Sequence, residues 1–217
     1  MRLPTLICWR LLQSRKKSAG AGRAWQPRWL ENGTLGQGGA ALLARLAAAD
    51  SLGLVPDDYD AGRLTRTAAA YAAGRRPDAG EAARFDVALT VDAWRYFAAL
   101  RHGRVSPHAA HGTLELPRDS VDVAVLDSLA DPGLAEGVLA RAQPPFRHYR
   151  LLIESLAFYR QVARDTSLVP LPPMPRTLKP GGGYAGVPRL RALLTTLGDC
   201  PDSLASVPAA YADTVYD

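Results

Sequence analysis

The stretch covering residues 78–102 constrains the fold more than any other part of this chain. Phe85, Leu89, Ala93, Tyr96, Phe97 and Leu100 recur there at spacings of three and four, the period of one helical face. The spacing predicts a single long helix, capped by Gly103 and unable to continue through Ser106-Pro107. Most of the stability of such a helix comes from packing its apolar stripe rather than from propensity. Other elements must therefore cover it, and Phe85, Leu89, Trp94 and Phe97 are expected to be largely buried.

The rest of the chain supplies candidates for that cover. Leu42, Leu43, Leu46 and Ala49 mark a helix that closes at Gly53, and a second is expected over about residues 64–73. Shorter helices are expected near residues 121–130 and 132–141. The string "PPFRHYRLLIESLAFYRQVARD" sets Tyr149, Leu152, Ile153, Leu156 and Tyr159 on one stripe. Alanine and leucine dominate the apolar positions, which favours helix over sheet. The predicted fold class is all-α.

"SLVPLPPMPRTLKPGGGYAGVP" is too rich in proline and glycine for a helix and reads as a connector. The chain thus divides into a basic arm without structure (1–28), a multi-helix domain (29–165), the connector (166–186) and a final helical unit (187–217).

The net charge of +5 over 217 residues suggests an anionic partner until it is located. Seven of the 26 basic residues precede Glu31, the first acid, and the remaining 19 face all 21 acids. The folded part is slightly acidic, the basicity belongs to the arm, and no nucleic-acid partner is expected. Arg10 interrupts the apolar patch from Leu3 to Trp9, and Arg15, Lys16 and Lys17 follow it, so the charge lies mainly on the wrong side for a signal peptide. No run approaches the roughly 18 apolar residues of a membrane span.

Sites of chemistry are few. His102, His108 and His111 match no metal-ligand spacing, and Cys8 and Cys200 neither form a framework nor complete a metal set. There is no Gly-x-Ser-x-Gly elbow for a serine nucleophile. Asp199 beside Cys200 works against a thiolate. "KPGGGYAG" lacks the Gly-Lys-Ser/Thr of a phosphate loop. No catalytic, cofactor-binding or metal residue is assigned.

What remains is polar residues on the long helix. Asp86 and Thr90 lie one turn apart on the edge of the buried face, and a half-buried aspartate needs a partner. Arg104 is the first candidate and Arg101 the second, each reaching Asp86 only after the chain folds back. Asp86, Thr90 and Arg104 are expected to be structural. A catalytic reading, with Asp86 acting beside Arg101 or Arg104, is the rival.

Four blocks in order, "LLARLAAADSLGLVPDDYD", "FDVALTVDAWRYFAALRHGRVSP", "PPFRHYRLLIESLAFYRQVA" and "GVPRLRALLTTLGD", resemble the scaffold region of the large murein L,D-transpeptidases of Gram-negative bacteria. The resemblance covers about residues 29–199. It implies a helical scaffold that accompanies a three-helix peptidoglycan-binding unit and a catalytic domain, acting in the periplasm on cell-wall stem peptides. Those enzymes use a cysteine in a Ser/Thr-His-Gly-Cys setting, with a histidine as its base. Here His102-Gly103 leads to Arg104 and His111-Gly112 to Thr113, so no catalytic residue carries over.

The implied partners are peptidoglycan or a catalytic transpeptidase domain supplied elsewhere, and no cofactor is implied. "GVPRLRALLTTLGD" would be the first helix of the binding unit and "YADTVYD" the opening of its second, making that unit incomplete at Asp217. A free-standing cell-wall or protein-interaction module is the alternative function.

Overall fold

The structure, a computed structural model, describes residues 27–105, 107–113, 122, 124–173 and 184–200. Nearly all of the expected basic arm, Cys8, the centre of the connector and "YADTVYD" lie outside the described residues. The chain divides into two compact units, Met1–Ile153 and Glu154–Asp217. The connector expected at 166–186 falls wholly within the second.

The first unit opens on a short hairpin. Strand β1 (Leu30–Glu31) pairs antiparallel with β2 (Thr34–Leu35), Leu30 opposite Leu35. Asn32 and Gly33 both take positive φ, 52° and 80°, as a two-residue hairpin loop requires. Helix follows almost everywhere else among the described residues, so the all-α class holds.

Helix α1 (Gln37–Ala47) buries Leu42, Leu43 and Leu46, then tightens into a 3-10 turn (Ala49–Leu52) that ends at left-handed Gly53. A second 3-10 turn (Pro56–Tyr59) leads into α2 (Ala61–Ala72), which begins three residues earlier than its spacing suggested.

The long helix is α3 (Ala79–His102). Its start is fixed by a capping box: the Glu81 amide donates to Asp78 Oδ1 at 2.7 Å, and the Asp78 amide donates to Glu81 Oε2 at 3.3 Å. Phe85, Leu89, Ala93, Tyr96 and Leu100 are buried as expected, with Tyr71 edge-on to Phe85 and Tyr59 edge-on to Tyr96. Trp94 and Phe97 are only half-buried. They flank the 85-89-93-96-100 stripe, and the residues that join that stripe inside are Asp86 and Asp92.

After α3, Pro107 opens a five-residue helix, α4 (Pro107–His111), since proline presets the first helical φ. Helix α5 (Val125–Ala130) and α6 (Pro132–Ala142) close the core with Leu126, Leu129 and Leu139. The α5–α6 junction uses Asp131 as the cap, its Oδ1 accepting from the Gly133 amide at 2.8 Å.

Gly38 shows how tightly α1 sits on α5. A Cβ at Gly38 would overlap the backbone carbonyl of Ala130, which cannot rotate away as a side chain could. Gly38→Ala is therefore expected to cost about 1–3 kcal/mol by forcing the helices apart. A Cβ at Gly137, inside α6, meets only the mobile tip of Arg141, so Gly137→Ala is expected to gain about 0.5–1 kcal/mol. Urea melts of the two variants check this contrast, and equal shifts would contradict it.

Helix α7 (Arg147–Arg164) runs through the division between the two units and has no buried residue. Of its expected stripe, Tyr149, Ile153 and Leu156 are half-buried, whereas Leu152 and Tyr159 are 66% and 59% exposed. In the second unit α8 (Val187–Leu197) ends at left-handed Gly198 and keeps Leu190, Leu193, Leu194 and Leu197 half-buried. Connector carbonyls tie to this region: Arg189 Nη1 donates to Pro170 O at 3.0 Å, and the Tyr184 hydroxyl to Pro172 O at 2.6 Å.

Candidate functional site

Of the three polar residues expected from the sequence, Asp86 and Thr90 lie on α3 and are brought together, while Arg104 lies just past its end. The segment Arg28–Trp29, just before β1, crosses α3 as a strap. Asp86 Oδ1 accepts from the backbone amides of both Arg28 and Trp29, the latter at 2.8 Å. One turn on, the Thr90 hydroxyl accepts from Trp29 Nε1 at 2.8 Å and donates to the Asp86 carbonyl at 2.7 Å. Asp86 is 2% exposed and Trp29 1%.

A carboxylate taken out of water is costly unless its lone pairs are met. Two convergent amide donors do that here, in the strong charge-assisted form. Strap and helix hold each other, because the Trp29 indole fills the core while its N–H finds Thr90.

Arg28, expected as the last residue of an unstructured arm, is fixed as well. Its side chain is 12% exposed and its guanidinium pairs with Asp127 of α5. Asp127 is largely in solvent, which limits the pair to about 1 kcal/mol or less. The buried Arg28 Nε meets no acceptor, and that works against the pair.

Arg104 does not join Asp86. It pairs with Asp58 of the second 3-10 turn at 2.6 Å. The reason is helix geometry: a rise of about 1.5 Å per residue carries Arg104 some 25 Å along the axis from Asp86. Arg104 follows Gly103 at the far end of the helix and turns to Asp58 there.

The residue missed in the sequence is Asp92. It is 4% exposed, and its carboxylate accepts from Arg95 Nη1 at 3.3 Å. Burial pushes its pKa up to about 6, against the lowering effect of Arg95. A signal was present, since Asp92 stands three residues after Leu89 and four before Tyr96, within the buried period. Burial also raises the neighbouring tyrosines, Tyr96 to about 12.

Chemically, this arrangement binds backbone and the Trp29 indole. The Asp86 oxygen that takes both strap amides and the Thr90 hydroxyl are engaged within the protein. Among the described residues no group of His, Cys, Asp and Glu could hold a metal ion. No described helix is long and apolar enough to cross a membrane.

Among the described residues the fold is a helical framework around one apolar cluster. The comparison with family models gives it a name: the family described as the Scaffold domain matches residues 21–156, more than half of the chain, and the chain belongs to that family. No curated protein and no solved structure matches the chain.

Proposed function

We propose that this chain is the non-catalytic scaffold portion of a murein L,D-transpeptidase, which positions peptidoglycan-binding and cross-linking domains during cell-wall remodelling in the periplasm. Membership of the Scaffold domain family over residues 21–156 supports this reading most directly. The four ordered sequence blocks supply the transpeptidase context. Asp86, Thr90 and Arg104 then serve as structural residues, the first two clamping the strap and the third securing the turn before α2.

Acyl transfer through an enzyme intermediate needs an activated nucleophile, and the Ser/Thr-His-Gly-Cys motif is absent from the sequence. Incubation of the chain with tetrapeptide-containing muropeptides, read by mass spectrometry, is expected to return them unchanged. Any cysteine-dependent cross-linked or trimmed product would overturn the proposal.

A second reading, a free-standing wall-binding or protein-interaction module, draws on the exposed Leu152 and Tyr159 of α7. Co-sedimentation with purified murein sacculi separates the two. Binding that is abolished by Leu152→Ser with Tyr159→Ser, in a chain that still melts cooperatively, would favour the module.

A further inference from the structure

The Asp92 carboxylate sits where α3 meets the turn Pro56–Tyr59 and the beginning of α2. Three contacts define this junction. Tyr59 is edge-on to Tyr96, with ring centroids 5.5 Å apart. Asp58 pairs with Arg104 in solvent, at 2.6 Å. Asp60, the residue before α2, takes a left-handed φ of 48° and pairs with Arg63 at 2.8 Å. Inside the junction lies Asp92, bonded to Arg95 at 3.3 Å, and the Arg95 side chain is itself 40% exposed.

We propose that this junction is a proton-sensitive seam, closed when Asp92 carries a proton and loosened when it is ionised. The groups that act on the carboxylate are Arg95 on its own helix, Tyr59 from the turn, Asp60 between the turn and α2, and Arg63 from α2. Asp60 repels the ionised form and the two arginines favour it. Burial outweighs them, as the rise to about 6 records.

The sign follows from linkage. In the closed state Asp92 keeps its proton to higher pH than it would in the open or unfolded chain, near 3.9. Its stabilising contribution is complete below about pH 4 and is lost as pH rises through 6. Ionisation then favours any opening that lets water reach the carboxylate. The turn is the element expected to give, because it is short and its Asp58–Arg104 tie is exposed.

Two measurements on the whole chain test this. Carbon-detected NMR of the Asp92 carboxyl is expected to show titration near pH 6, and a midpoint below about 4.5 would overturn the proposal. Amide exchange is then followed at Asp58, Asp60 and Leu64, whose amides bond to Val55, Asp57 and Asp60 carbonyls. After correction for intrinsic rates, their protection is expected to fall about tenfold or more between pH 4.5 and 7.5. Asp92→Asn, which keeps the shape and cannot ionise, should hold it constant. An equal fall in both proteins, or a fall shared by amides around Leu89, would overturn a local seam.

Discussion

Trp29→Ala is expected to destabilise the first unit by about 3–5 kcal/mol, the range for large aromatic side chains removed from a core. Trp29 is almost wholly buried in the main apolar cluster, and its ring and its N–H both serve the contact with α3. The loss therefore combines an unfilled cavity with an abandoned Thr90 hydroxyl. Trp29→Phe keeps most of the volume and drops only the donor, so it is expected to cost less, about 1–2 kcal/mol. Denaturant melts of the two variants give the comparison. A change below about 1 kcal/mol for Trp29→Ala would mean that the strap lies outside the cooperative unit.

The second large effect belongs to Asp86. Asp86→Leu removes the acceptor shared by the Arg28 and Trp29 amides and strands them against an apolar side chain. A buried unsatisfied donor costs about 1–3 kcal/mol, so a loss of about 3 kcal/mol is expected. Asp86→Asn retains one carbonyl oxygen at nearly the same position and is expected to cost about 1 kcal/mol. Equal stability of wild type, Asn and Leu forms would show that the two amides find other acceptors. Asp86 and Trp29 share their contacts, so the double variant should fall short of the sum of the single effects.

Much of the fold was legible because helix periodicity is a local property. The stripe through Phe85, Leu89, Ala93, Tyr96 and Leu100 followed from spacing alone, and Gly53 as a left-handed stop followed from residue type. Two of the expectations for α3 were too coarse. A stripe drawn at spacings of three and four admits both Tyr96 and Phe97, yet adjacent residues point about 100° apart on the helix, and Tyr96 is buried while Phe97 is only half-buried. Asp92 was passed over because a carboxylate on a buried face is rare without a strong partner. The same rarity makes its place in the core informative.

The sequence by itself determined the helical class, the positions of most helices and the absence of the cysteine motif. Each rests on residues within a few positions of one another. Tertiary structure alone decided that Asp86 serves the Arg28–Trp29 strap, 57 and 58 residues away, and that Arg104 turns to Asp58 instead. It also decided that Gly38 lets α1 approach Ala130. Hydrogen bonds and steric contacts act over a few ångströms, and only packing sets which distant residues come within that range.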